Sequence, residues 1–227
     1  MGFGIRLKVS GDYACFSRPE LKVERVSYDM ITPSAARGIL DSIMWHKGIT
    51  WKIDKIHVMK PIRFMNIRRN ETKEVISLRK VEAAMQSGER LAIETNGEHR
   101  DQRAAMVLKD VEYILEAHFE LDMSKANKED TPEKFYCMAL RRMRNGQYHS
   151  APFLGTREFG AAFEFIEDDV ELPKSSLTGE MDLGYMLYDL NYKENSEHTK
   201  LTVNPSFFRA KLVDGVLCVP EKNEVVS

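Results

Sequence analysis

Two threonine–proline pairs, Thr32–Pro33 and Thr131–Pro132, punctuate the first two thirds of this chain, and each reads as the start of a helix set between strands. A threonine hydroxyl accepts from a backbone N–H of the first helical turn, and proline at the first helical position gives up no hydrogen bond there. After Thr32, the residues Ala36, Ile39, Leu40 and Ile43 fall on one face and Gly48 follows as a stop. After Thr131, Phe135, Met138, Ala139 and Met143 share a face, and Asn145–Gly146 ends the run. Ahead of the first helix, Ile5 to Phe16 alternates, with Ile5, Leu7 and Val9 set against Arg6, Lys8 and Ser10, as in a half-buried strand. Between the helices lie two more strand segments. One runs from Trp51 to about Ile67, where Pro61 implies a bulge or an edge. The other runs from Ala104 to Leu121, where Tyr113, Leu115, Ala117 and Phe119 alternate with Glu112, Ile114, Glu116 and His118. A last strand is expected in "SAPFLGTREFGAAFEF", Ser150 to Phe165.

The order strand, helix, strand, strand, helix, strand is that of the split βαβ, ferredoxin-like or RRM-like unit, so the expected class is α+β with an RRM-like N-terminal domain over residues 1–167. Residues 68–101 are polar and read as an insertion, inside which "EVISLRKVEAAMQSGER" offers a short helix. Beyond Glu167, the breaks at Gly179, Gly184, Pro205 and Gly215 predict a set of short strands, a small β-rich C-terminal subdomain over residues 168–227.

With 227 residues of which 43% are hydrophobic, the chain can fill a core. Its net charge of -2 hides a gradient, since residues 1–100 sum to +6 and the remainder to -8, a pattern shared by nucleic-acid-binding surfaces and by solvated helices. Cys15, Cys137 and Cys218 form no close pair, which rules against a disulfide framework or a zinc site and fits a reducing cytoplasm. No run of 18 apolar residues occurs, so neither a signal peptide nor a membrane span is expected.

The stretch from Ser150 to Phe165 admits two readings. As a ligand surface, Gly155 would let backbone approach closely, Arg157 would contact phosphate or guanine in bidentate fashion, and Phe153 or Phe159 would stack on a base. As a core strand, it would simply pack its phenylalanines and show Arg157 and Glu158 to solvent.

Five blocks, "GDYACFSRPELKVERVSYDMITPSAARGILDSIMW", "KIDKIHVMKPIRFMNIRRNE", "QRAAMVLKDVEYILEAHFEL", "FLGTREFGAAFE" and "DLGYMLYDLNY", together resemble the CRISPR-associated Cas-five family of subtype I-C, the Dvulg type. The resemblance runs from about Gly11 to the C-terminal strands. It implies an RRM-like domain with a small β extension that cuts the CRISPR precursor RNA at the base of the repeat hairpin without a metal or other cofactor. It also implies that the protein then stays on the 5′ end of the mature guide RNA, beside the backbone and large subunits of the type I-C interference complex. The implied ligand is RNA; duplex DNA stands as a further partner reading, for which the acidic second half gives little support.

Cutting of this kind is attack of a ribose 2′-hydroxyl on the adjacent phosphate, which requires a base, an acid and a cation for the charged phosphorane. The resemblance implies a Tyr or His near the end of the first helix and a Lys-His pair opening the second; here those positions hold Met44, Lys134 and Phe135, of which only Lys134 matches. His46, two residues past Met44, and Tyr136, beside Phe135, are the substitute proton carriers, with His57, His118 and His149 as outside candidates. The candidate RNA-binding residues are Arg37, Arg63, Arg68, Arg69, Arg103, Lys109, Gly155 and Arg157, which the sheet would assemble into a basic track. Arg141, Arg142 and Arg144 are read as complementing the dipole of their own helix.

Overall fold

The computed structural model describes residues 3–21, 23–73, 75–91, 97–127, 129–194, 201–221 and 224–226. Strand β1 (Ile5–Ala14) leads through a two-residue strand β2 (Arg25–Val26) into helix α1 (Pro33–Ile43). Strands β3 (Ile49–Val58) and β4 (Phe64–Thr72), helix α2 (Leu78–Ser87), strand β5 (Arg100–Leu121) and helix α3 (Pro132–Arg144) follow. The chain ends in β6 (Ala162–Ile166), β7 (Glu180–Glu194), β8 (Leu201–Val213) and β9 (Val216–Cys218). The class is α+β, a mostly antiparallel sheet carrying helices.

β5 is the spine. Its C-terminal half lies between β1, which pairs Ile5 with Ala117 through Ala14 with Leu108, and β3, which pairs Ile49 with Leu121 through Val58 with Tyr113. Its N-terminal half runs on past β3 and pairs with β4, Phe64 with Leu108 through Thr72 with Arg100. The sheet order β6-β1-β5-β3-β9-β8-β7 continues across β9, so the C-terminal strands extend the same sheet rather than forming a second one.

Alternation decides what is buried. Ile5, Leu7 and Val9 of β1, Tyr113, Leu115 and Ala117 of β5, and Trp51, Ile53 and Ile56 of β3 join Ile39, Leu40, Phe135, Ala139 and Met143 of the helices in one core. Both helices start as their caps dictate: the Thr32 hydroxyl accepts from Ala35 N–H and the Thr131 hydroxyl from Lys134 N–H, each at 3.3 Å. The opposite face of the central strands is covered by cross-strand charge pairs: Lys8 with Glu164, Lys52 with Glu120 at 3.4 Å, His57 with Glu116 at 2.6 Å, and His118 with Asp54 at 2.9 Å.

Three expectations change. The segment from Trp51 to Ile67 is two strands, because Met59 to Arg63, with Pro61, leaves the ladder and β4 then pairs further along β5. Most of Ser150 to Phe165 is a folded-back loop and only its end is strand: Leu154 N–H bonds to Phe159 O at 2.8 Å and Phe153 bridges to Gly160. The C-terminal strands are long, 15 and 13 residues in β7 and β8. Gly184 is taken up by a register shift after Asp182, and Pro205 pairs with Leu190 where β9 no longer flanks β8. The helix foreseen in the polar insertion is α2, which buries none of its residues.

Candidate active site

The end of α1 is held by an unusual completeness of carbonyl partners, and this fixes the segment that follows it. Ser42 Oγ donates to Ile39 O at 2.6 Å, Met44 N–H to Leu40 O at 2.8 Å, and His149 N–H to Ser42 O at 2.8 Å. Arg142, reaching across from α3, donates to Ile43 O at 2.8 Å, and the Trp51 indole N–H to Met44 O at 2.9 Å. Arg142 therefore caps the neighbouring helix, not its own, while Arg144 pairs with Glu167 at 2.6 Å. Because α1 ends at Ile43, His46 lies outside the helix, in the turn that enters β3.

That turn is pinned to the loop ahead of α3. Asp122 N–H bonds to Gly48 O at 2.8 Å, and a Cβ on Gly48 would stand 3.2 Å from the Ala126 backbone, so any side chain there would press the loop back by a few tenths of an ångström. The contact brings His46 to Asp130 and Lys134. Asp130, only 5% exposed, accepts at Oδ2 from Asn127 N–H at 2.8 Å and at Oδ1 from Lys134 Nζ at 3.0 Å, and His46 Nε2 lies 3.7 Å from Oδ2. The Asn127 N–H, then the Lys134 ammonium, hold the Asp130 carboxyl below its ordinary range, so it stays ionised. The other histidine nitrogen, Nδ1, accepts from Gly48 N–H at 3.1 Å, which leaves the ring proton of the neutral form on Nε2, facing Asp130. Phe135 packs against the imidazole with ring centroids 4.7 Å apart.

Of the sequence candidates, His46 and Lys134 thus converge, and Asp130 joins them. Sequence reading passed over Asp130; its signal was a carboxylate just ahead of a Thr-Pro helix start and four residues before Lys134. Tyr136 turns elsewhere: its hydroxyl donates to Gly4 O at 3.3 Å and its ring packs on Phe3. Burial, its main influence, raises the phenol pKa. Met44 and Phe135 are both 2% exposed and belong to the core. His57 and His118 are engaged on the far face of the sheet.

Of the candidate RNA-binding residues, Arg37, Arg69 and Arg103 are already engaged by carboxylates. Arg37 is engaged in a two-pronged ion pair with Asp189 of β7, one prong at 2.8 Å, and lines with Gly155 a cleft of about 330 Å³. Arg69 pairs with Glu158 and stands 5.4 Å over the Phe159 ring. Arg103 lies between Glu71, 3.7 Å away, and Asp101, 3.8 Å away. Arg63, Arg68, Lys109 and Arg157 are exposed, and their side chains make no ion pair or hydrogen bond among the described residues. Gly155 has φ +85°, and a Cβ there would come within 2.0 Å of Cys15 O, so its freedom serves the approach of the loop to the end of β1. Among the described residues no cluster of His, Cys, Asp or Glu is placed to hold a metal ion, and no helix is long and apolar enough to cross a membrane.

Comparison with known proteins agrees with this architecture. The Cas_Cas5d profile, described as CRISPR-associated protein (Cas_Cas5), matches residues 4–220. A CRISPR pre-crRNA endoribonuclease Cas5d from Mannheimia succiniciproducens is 49% identical over 220 residues, covering 95% of this chain and 94% of that protein. One of the same name from Thermus thermophilus is 38% identical over 230 residues, covering 95% and 91%. The crystal structure of a CRISPR-associated protein shares the fold, with a TM-score of 0.69 at 22% identity over 99% of this chain and 96% of that one. A functionally uncharacterized protein from Streptococcus mutans gives the same score and identity over 99% and 97%. The sequence blocks, the helix-capped sheet and these relatives place the chain in the CRISPR-associated Cas5 family, subtype I-C.

Proposed function

We propose that this protein is an endoribonuclease that cuts CRISPR precursor RNA at the repeat hairpin without a metal. It then stays on the 5′ end of the guide RNA as a subunit of the type I-C interference complex, with its backbone and large subunits as partners and the cytoplasm as its compartment. The relatives at 49% and 38% identity, both CRISPR pre-crRNA endoribonucleases by name, support the activity. The observation that carries the site is the convergence of His46, Asp130 and Lys134 where α1 ends and α3 begins.

In this reading Asp130, 3.7 Å away, draws in to accept the Nε2–H of His46 when RNA binds, and Nδ1, released from Gly48 N–H, takes the proton of the attacking 2′-hydroxyl. Asp130 offsets the positive charge that forms on the ring, as a buried carboxylate does for a catalytic histidine. Lys134 sits in the first turn of α3, where its ammonium, held beside Asp130 at the positive end of the helix, stabilises the phosphorane. The P–O5′ bond breaks as the 2′ oxygen bonds to phosphorus, the leaving 5′ oxygen takes its proton from solvent water and His46 returns its own to solvent, so the products are a 2′,3′-cyclic phosphate and a free 5′-hydroxyl.

We read residues 1–167 as RRM-like, supported by the strand order β6-β1-β5-β3 with α1 and α3 as its crossovers, and residues 168–227 as a β extension joined through β9. A second reading, a guide-binding subunit without cutting activity, is favoured by the core positions of Met44 and Phe135, which have no proton to exchange. Incubating the protein with its repeat RNA in EDTA and sizing the products decides between them: discrete products with a cyclic phosphate support the nuclease, and intact, tightly bound RNA supports the subunit.

A further inference from the structure

The neighbouring arginines Arg68 and Arg69 point to opposite faces of the ribbon formed by β4 and the N-terminal half of β5, and the two faces differ in kind. On the Arg69 face lie Met65, Ile67 and Glu71, opposite Val107, Ala105 and Asp101, with Arg103 opposite Arg69 itself. Both arginines there are neutralised, Arg69 by Glu158 and Arg103 by Glu71 and Asp101, and Ile67, Arg69 and Glu71 are half-buried. On the Arg68 face lie Phe64, Asn66, Asn70 and Thr72, opposite Leu108, Met106, Gln102 and Arg100. None of these ladder residues is a carboxylate, and the side chains of Arg68 and Arg100 make no ion pair or hydrogen bond among the described residues. At its inner end Phe64 is 42% and Met106 41% exposed, so an aromatic ring and a thioether stand open beside the amide of Asn66.

We infer that the Arg68 face of this ribbon binds an unpaired stretch of RNA, with a base stacked on Phe64 and Met106, amides of Asn66, Asn70 and Gln102 at base edges, and Arg68 and Arg100 on phosphates. The chemistry selects the ligand. An open ring is a platform for any base, side-chain amides match the edges that single strands leave free, and guanidinium groups without an acid partner attract phosphate. A duplex would present its bases only to itself and could not use Phe64. The central face of the sheet, where an RRM-like unit offers its platform, is instead covered by the charge pairs of Lys8, Lys52, His57 and His118. The inference rests on the reading of this protein as RNA-binding, and deepens it by locating the single-stranded part of the ligand.

The test is fluorescence anisotropy with an unstructured oligoribonucleotide and, separately, a blunt repeat hairpin, each across a salt series, with cutting of the full repeat measured on the same variants. Phe64→Ala is expected to weaken oligoribonucleotide binding about fivefold to a hundredfold while leaving the salt slope unchanged, the signature of a lost stacking contact. Arg68→Ala with Arg100→Ala is expected to weaken it and to flatten the log–log salt slope by about 0.7 per phosphate released. Wild-type affinity in both folded variants overturns the inference, as does a loss confined to the blunt hairpin. Because Phe64 is partly exposed and remote in sequence from His46 and Lys134, the arms separate: loss of single-strand binding in a protein that does not cut preserves this inference and removes the nuclease reading, while cutting with unchanged single-strand binding does the reverse.

Discussion

Lys134 and Asp130 are one turn apart and share a contact, yet the proposed mechanism gives them different roles, and substitution separates them. Lys134→Ala removes a cation from beside the phosphorane and is expected to slow single-turnover cutting about tenfold to a thousandfold with little change in RNA affinity. Asp130→Asn keeps the shape but leaves the charge that forms on His46 unopposed, so the rate should fall at least as far as in Lys134→Ala. His46→Ala should match Asp130→Asn, and the double variant should be no slower than either alone, because the two act as a unit. Wild-type rates in both His46→Ala and Lys134→Ala would remove this site. Tyr136→Phe loses only the bond to Gly4 O and should cut normally. Gly155→Ala belongs to another class: at φ +85° with Cys15 O in the way, it should lower stability by about 1–3 kcal/mol or more, read as a drop in thermal midpoint without any change in the chemistry of cutting.

The helix caps carry the same distinction up one level. Thr32→Ala and Thr131→Ala each remove one hydroxyl-to-N–H bond and should each cost about 1 kcal/mol. Only Thr131→Ala loosens the turn that carries Lys134, so at a temperature where both variants remain folded it should slow cutting more than Thr32→Ala does, measured as single-turnover rate against thermal midpoint. Both caps were legible in the sequence because a Thr-Pro start is a local signal, and β1 and β5 were legible because their alternation is unbroken. The loop from Ser150 to Ala161 was not: Phe153, Leu154 and Phe159 have strand composition, but Leu154 and Phe159 are buried by a chain that folds back on itself, a tertiary arrangement without a periodic trace. β7 and β8 were expected to break at Gly184 and Pro205, which a register shift and an unflanked stretch of β8 accommodate. The site was half legible. Lys134 stood on the family pattern and His46 on its nearness to Met44, whereas the contact that joins them runs through Asp130 and Gly48, whose partners cross from one helix end to the other.

Across the whole molecule, the +6 and -8 halves of the chain do not become a basic and an acidic side. Folding joins them: Arg37 meets Asp189, Arg69 meets Glu158, Lys8 meets Glu164 and Lys52 meets Glu120, each a base from the first half and an acid from the second. Among the described residues, positive charge is left without an acid partner at Arg68 and Arg100 of the ribbon. The same pairing sets how the protein responds to acid. Asp130 is held low by Asn127 N–H and Lys134, Glu167 by Arg144, Asp182 by Arg209 and Gly184 N–H, and Asp122 by Ser124 and Lys125. A carboxyl whose folded pKa is depressed contributes stability that is fully present above its unfolded value, about 4, and is lost as pH falls through its folded value. Asp41 runs the other way: burial raises its pKa, so its ionisation opposes folding near neutrality and its protonation relieves that strain. Asp110, held low by Lys60, makes five depressed carboxyls against this one, and the thermal midpoint is expected to stay level from about pH 7 to about pH 5 and to fall below about pH 4. Asp130→Asn should lower the plateau and make the acid fall shallower, since that variant has one proton fewer to take up. A midpoint already falling between about pH 7 and 5 would show that groups other than these carboxylates govern the acid limit.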